Sequence, residues 1–460
     1  MRGSSSPGGL AVGIMSAMRS SGGMWFGWSG ETVPGEPGQA EISIREAITY
    51  ATVPLPQHLH DRYYSGFANG TLWPLFHYFL AGFRYEEHEY AAYREANRMF
   101  ARKLAELLRP SDRIWVHDYH LIPLGEELRA LGMKHRVGFF LHVPFPHFQL
   151  LRALPKSTEI VRALLAYDLV GFQTETDRAS FLDAVRLTHG ADAVRNGGSV
   201  SAEVPAVRTG VFPIGVDVKG VGQSAARAAA AGVVQRSVQS LLGRRLIIGA
   251  DRLDPSKGLL ERFRAYRQFL EDYPEQRGQV TYLQIAPLGR QSVRAYSEIR
   301  DALEQSSGRT NGRFADADWT PVRYLNRNYP HATLMGFLRA AHVCLVTPLR
   351  DGMNLVAKEF VAAQDPDDPG VLILSNMAGA ARELTEALLV NPYDTRRIAR
   401  AIQSALVMPL SERRARHERL LSILRENDIH RWHMRFLELL IGESSMPAVP
   451  DLPGAASESV

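Results

Sequence analysis

Short apolar runs alternate with amphipathic stretches along most of this chain, a rhythm that predicts β/α units. The first half opens with a helix-like segment, LAVGIMSAMRSSG, and a glycine-punctuated strand around Trp25–Glu31. Residues 61–79 are rich in tyrosine, tryptophan and histidine but show no clean period. Apolar residues at 3–4 spacing predict a long helix over 86–108. Buried strands follow at Ile114–His117, Val137–Leu141 and DLVGFQ, with helices to about Leu131, over 148–165 and from about Thr176. VFPIGVDV (211–218) closes this half with a strand and glycine turn, and 219–244 reads as helix and connector.

The second half repeats the pattern. Strand Leu246–Ala250 leads to a helix that Asp254 can N-cap, with Pro255 at its first position. Strands follow at 281–287 and within WTPVRYLNRNYP, then helix ATLMGFLRAA and strand Val343–Thr347. After the polar turn Leu349–Gly352, Met353, Val356, Ala357 and Phe360 keep helical spacing, with Asp351 at the N-cap. VLILSNMAGAARELTEALLVNPYD reads as strand, small-residue turn, helix and strand. The expected fold is α/β, two Rossmann-like doubly wound domains facing a cleft: residues 1–235, residues 236–427, a crossover helix at 428–442 and a disordered tail at 443–460.

With 460 residues, 45% of them hydrophobic, the chain has enough apolar surface for two or three cores. A net charge of +4 from interspersed acids and bases gives no basic face for nucleic acid. The single cysteine, Cys344, falls in a buried-looking strand and reads as core, which with the lack of disulfides suits a cytoplasmic protein. No apolar run reaches membrane-spanning length, and no signal-peptide pattern follows the N-terminus.

Candidate chemistry clusters at strand ends. A strand running into Gly352 and a helix start offers free N–H groups and partial positive charge to a phosphate. Glu359, further along that helix, suits two ribose hydroxyls, and Arg252 with Lys257 flanks another helix start as a phosphate clamp. Asp118 and His142 stand where parallel strands present ligands, and His120 shares the address. The aromatics of 61–79 suit the apolar face of a pyranose, although such residues also fill cores. Taken singly, each feature also fits an ordinary βα turn or a solvated charge.

Together, HDYHLIP, GFFLHVPFP, DLVGFQT, FPIGVD, DRLDPSKG, TPLRDGMNLVAKE and NPYD resemble the trehalose-6-phosphate synthases, in order and nearly end to end. The resemblance implies the GT-B fold and transfer of glucose from UDP-glucose to glucose 6-phosphate with retention, giving trehalose 6-phosphate without a bound metal or other cofactor. Its donor set maps onto Gly8, Gly9, Arg252, Lys257, Tyr329, Leu355, Val356, Ala357, Lys358 and Glu359, with Asp351 and His142 against the donor glucose. Tyr64, Trp73 and Asp118 match the acceptor-sugar site, and Arg290 matches a cation on its 6-phosphate. The resemblance assigns the catalytic roles to Arg252, Lys257, His142 and Asp351. A homodimer or homotetramer is expected, with no nucleic-acid or membrane partner. Donor nucleotide base and oligomeric state are not written in the residues.

Two departures stand out. Family members begin with a strand ending in Ser-Asn-Arg before the paired glycines, and this sequence starts after it: either the true start lies upstream, or an inner strand of the first sheet is missing and folding is expected to suffer. Pro255 replaces a usual tyrosine, benign for the fold but altering an edge of the donor site. Competing readings are a transferase with another donor or acceptor, such as a glucosylglycerol-phosphate synthase, and a catalytically impaired nucleotide-sugar-binding homologue.

Overall fold

The computed structural model describes residues 9–190, 193–194, 207–287 and 294–442. The chain begins with helix Gly9–Ser21 and then builds a small sheet from β1 (Gly23–Val33), β2 (Glu41–Arg45) and β3 (Ile48–Pro56). β3 lies centrally, parallel to β1 and antiparallel to β2. A separate sheet runs in the order β4 (Arg113–His117), β5 (Arg136–Phe140), β6 (Leu169–Phe172), β7 (Arg208–Val211), with every pair parallel. The first half thus divides its strands between two sheets, where one doubly wound sheet was expected.

The second half forms one parallel sheet from β8 (Arg245–Ala250), β9 (Val280–Ile285), β10 (Val322–Leu325), β11 (Val343–Val346), β12 (Val371–Ser375) and β13 (Leu388–Val390). Its order, β10-β9-β8-β11-β12-β13, reverses direction between β8 and β11. In an open parallel sheet that reversal opens a crevice beyond the strand ends, the usual ligand address. β11, VCLV, is buried throughout, as a strand covered on both faces must be. Cys344 within it is fully buried, and burial pushes its thiol pKa up.

The helix Ile429–Ile441 returns to the first half. Asp428 caps it, and its N-terminus is fastened to the 212–216 connection: Ile429 N–H donates to Val216 O, and the Trp432 indole to Phe212 O at 3.1 Å. Phe436 stacks on Trp115 with ring centroids 4.1 Å apart. Gly138 and Gly171 make room for it, since a Cβ at either would strike the Phe436 ring. Apolar side chains from both large sheets and this helix share one core.

Several local expectations change. The expected helix 148–165 is two, Phe148–Leu151 and Ser157–Leu164, because Pro155 between them cannot donate to a continuing helix. Residues 57–76 are helical, with wide turns over His60–Leu72. The Trp73 N–H reaches Ala68 O five residues back, and that wider spacing erases the 3.6-residue period. Asp254 caps only the short turn Pro255–Lys257, and the long helix starts at Leu259 after the left-handed Gly258. The segment after β12 makes a short turn, Gly379–Arg382, in place of a full helix.

Candidate functional site

The crevice between β8 and β11 is lined by two loops. After β8, residues 251–258 carry Arg252 and Lys257; after β11, residues 347–354 carry Asp351 and lead into helix Leu355–Ala363. Asp351 was expected to cap that helix. The structure gives the cap to Asn354, whose Oδ1 accepts from Ala357 N–H at 3.2 Å and whose Nδ2 donates to Asp351 at 3.0 Å. Asn354 adopts φ 84, a left-handed conformation unfavourable for a side-chain-bearing residue. Such strain collects at binding sites, and here it turns the start of the helix into the crevice.

Asp351 instead receives the Lys257 ammonium at 2.5 Å. Burial alone would lower the Lys257 pKa, but Asp351, Asp254 and Asp251 together outweigh it and raise it. Burial would likewise raise Asp351, and the Lys257 charge and hydrogen bond bring it below the ordinary carboxylate value. Both therefore stay charged at neutral pH. Arg252 is exposed and makes no hydrogen bond or ion pair among the described residues, leaving its guanidinium available to a ligand.

Beneath this loop lies Arg262, which sequence reasoning passed over. Its side chain is fully enclosed and pairs with Asp251 at 2.7 Å. It also donates to Thr347 Oγ1, Gln284 Oε1 and the carbonyl of Lys257. One guanidinium thus ties the β8 loop to the end of β11. Lys358, grouped by the resemblance with the nucleotide residues, is also fully buried, and its ammonium donates to Ile214 O at 2.7 Å and to Glu383. Its side chain fastens the helix to the connection between the halves. The Glu359 carboxylate accepts from the His331 ring Nε2–H at 2.9 Å, two residues beyond Tyr329. That hydrogen bond raises the His331 pKa.

The first half closes over these loops. A Cβ on Gly352 would overlap the carbonyl oxygen of His142, and one on Gly379 would overlap that of Gly352, so three backbone segments stack without side chains between them. Arg350 reaches across to Phe76 O (3.1 Å) and Phe145 O (3.2 Å) and lies 3.8 Å from the centre of the Tyr78 ring. Gly352→Ala is expected to lower turnover by one to two orders of magnitude by holding these segments apart. Steady-state kinetics beside a thermal melt check it, with the loss in turnover exceeding any loss in stability.

On the first-half side, Asp118 follows β4 at φ 73, another strained side-chain-bearing residue, and its carboxylate accepts from His142 N–H at 3.3 Å. The Tyr64 ring stacks on His120 at 5.4 Å, and Trp73 stacks on His77 at 4.3 Å. His77 is buried and its Nδ1–H donates to Trp73 O at 2.8 Å. Burial pushes its pKa down to about 4, against the opposing pull of Asp254 and Asp351. The structure therefore pairs Asp118 with His142 and Asp351 with Lys257, and the close approach of Gly352 to the His142 carbonyl brings the two pairs to one place. Tyr64 and Trp73 make no hydrogen bond or ring contact with these four among the described residues; Tyr64 sits among Trp28, His60 and His120, and Trp73 between His77 and Phe79. Gly9 is the first residue of the opening helix, while Gly8 and Arg290 fall outside the described residues.

A ring buried neutral carries a pH signature. The His77 pKa is lowered from 6.5 to about 4 in the fold, so the unfolded chain binds the extra proton across that window. Its contribution is complete above pH 6.5 and is lost as pH falls towards 4. Between pH 7 and pH 5 the chain should lose about 2 kcal/mol on this account. Urea titrations at the two pH values check it, and His77→Asn should flatten that part of the dependence.

Among the described residues, no helix is long and apolar enough to cross a membrane, and no group of three or more His, Cys, Asp or Glu side chains is placed to hold a metal ion. Comparison with known proteins agrees with the geometry. A trehalose-6-phosphate synthase of Cronobacter sakazakii is 48% identical over 435 residues, 94% of this chain and 91% of the relative. The structure of an α,α-trehalose-phosphate synthase (UDP-forming) from Burkholderia xenovorans, in complex with glucose-6-phosphate, superposes with a TM-score of 0.93 at 47% identity, covering 95% of this chain and 97% of that one. An E. coli structure bound with UDP-2-fluoro glucose gives a TM-score of 0.91 at 45% identity over 96% of this chain and 97% of that one. The sequence profile of glycosyltransferase family 20 matches residues 1–441, and the chain belongs to that family.

Proposed function

We propose that this chain is a retaining glucosyltransferase that moves glucose from UDP-glucose to glucose 6-phosphate, forming α,α-trehalose 6-phosphate and UDP. The observation that carries this reading is the cationic crevice at the sheet reversal. Arg252, Lys257 and the N-terminus of helix Leu355–Ala363 converge there, opposite Asp118 and His142. A leaving diphosphate gains negative charge as the glycosidic bond breaks, and two cations with a helix N-terminus neutralise it.

In this reading Arg252 and Lys257 hold the diphosphate, and the first-turn N–H groups of Leu355 and Val356 face the nucleotide, that of Ala357 being taken by the Asn354 cap. Glu359 takes the ribose hydroxyls from beside His331, and Tyr329 borders the base. Asp351 and His142 position the donor glucose, with Gly8 and Gly9 against it. Tyr64, Trp73 and Asp118 hold the acceptor sugar, and Arg290 its 6-phosphate. Asp351 also acts on its neighbour, because its carboxylate keeps Lys257 charged and aimed.

Retention follows from attack on the face the diphosphate leaves, with a departing phosphate oxygen taking the acceptor hydroxyl's proton. No side chain then serves as nucleophile, and the protein contributes positioning and charge. The chemistry calls for no metal or other cofactor. Residues 1–235 form the acceptor side, 236–427 the nucleotide-sugar side and 428–442 the crossover. We place the enzyme in the cytoplasm as a homodimer or homotetramer.

NMR of the product made from UDP-glucose and glucose 6-phosphate tests this. The reading predicts a non-reducing disaccharide phosphate with both anomeric centres α. A product of inverted configuration, or faster turnover with ADP- or GDP-glucose, would contradict it.

A further inference from the structure

His117 ends β4 and His142 stands two residues beyond β5. The parallel register sets His117 beside Phe140, so the two imidazoles meet just past the strands. Their rings stack with centroids 5.3 Å apart at 24°, and His117 Nδ1 lies 3.0 Å from His142 Nε2. Neither ring pairs with a carboxylate among the described residues. Burial depresses both pKa values, that of His117 to about 3, so both rings are neutral at physiological pH.

Two neutral imidazoles joined by one hydrogen bond hold one proton between the bonded nitrogens. Whichever ring carries it there, the other must present a lone pair, so each ring fixes the tautomer of its neighbour. Packing also limits rotation. Trp115 lies 4.7 Å from His117, Phe140 lies 4.7 Å from His142, and Trp432 of the crossover helix lies 6.3 Å from each.

We propose that His117 is a positioning residue for glucosyl transfer, holding the His142 imidazole in one tautomer and one rotamer so that it offers the donor sugar a fixed hydrogen-bonding nitrogen. This rests on His142 contacting the donor glucose. It gives the second residue of β4's VHD run a role distinct from that of the neighbouring Asp118, which holds the His142 backbone.

The test compares His142→Phe, His117→Phe, His117→Asn and the double variant His117→Phe/His142→Phe. His117→Phe should lower kcat about ten- to a hundredfold, while calorimetric UDP affinity and the melting temperature stay near those of the parent. Asparagine, whose amide can bond from the Nδ1 position, should restore most of the loss. The double variant should lose no more than His142→Phe alone, because His117 acts through His142. Side-chain ¹⁵N spectra should show one His142 tautomer in the parent and a mixture in His117→Phe. If His142→Phe leaves turnover intact, the donor contact itself is wrong. If it lowers turnover while His117→Phe does not, or if the two losses multiply, the positioning role is overturned. A melting temperature that falls equally in His117→Phe and His117→Asn, without rescue, also overturns it in favour of a packing role.

Discussion

Alanine in place of Lys257 is expected to lower kcat/KM for transfer about a thousandfold, roughly 4 kcal/mol of transition-state stabilisation. Two effects add. The leaving diphosphate loses a cation held in a low-dielectric crevice, where charge interactions are poorly screened. Asp351 also loses the ammonium that keeps its carboxylate ionised, and burial then drives its pKa upward. Arginine at 257 should recover only part of the activity, because the longer planar group cannot reproduce the 2.5 Å contact to Asp351. Steady-state kinetics with both substrates varied decide the matter. A loss below tenfold for Lys257→Ala would mean that Arg252 and the helix N-terminus suffice.

The largest loss of stability is expected from Arg262→Ala, about 3–5 kcal/mol. The guanidinium is fully enclosed, so its removal leaves Asp251 as a buried carboxylate without its hydrogen-bonded cation, with only the Lys257 charge nearby to offset burial. Burial already raises the Asp251 pKa with Arg262 in place. Without it the pKa rises further, the folded state gains affinity for a proton, and the deficit should shrink as pH falls. Arg262→Met with Asp251→Asn should recover part of the stability, because no uncompensated charge remains. Urea titrations of the three proteins at pH 7 and pH 5 test this, and a deficit under about 1 kcal/mol at pH 7 would refute the account.

Much of the architecture was legible because parallel strands covered on both faces read as uninterrupted apolar runs, as Val343–Val346 and Val371–Ser375 do. What escaped has identifiable causes. Wide helical turns hid the helix across 57–76. The polar helix Arg294–Phe314 and the arginine-rich helices Thr395–Val407 and Leu410–Glu426 were left unread. At the site, sequence marked the strand ends but not the pairs that meet there. Lys257 and Asp351 are 94 residues apart, and no local period links them. Asn354 could have been found, since asparagine just before a helix's first residue is a strong cap. The left-handed turn that lets it serve is a tertiary property. The burial of the Lys358 side chain was equally illegible: a lysine on a helix suggests solvent or ligand, and here the ammonium is enclosed against Ile214 and Glu383.

The crevice between β8 and β11 is expected to break UDP-glucose only when an acceptor sugar phosphate sits opposite. Release of UDP from UDP-glucose, followed with and without glucose 6-phosphate, tests it most directly. Release should be rapid with the acceptor, and at most slow hydrolysis should occur without it. Binding of UDP with no acceptor-dependent release would contradict it, and so would release at the same rate in the absence of glucose 6-phosphate.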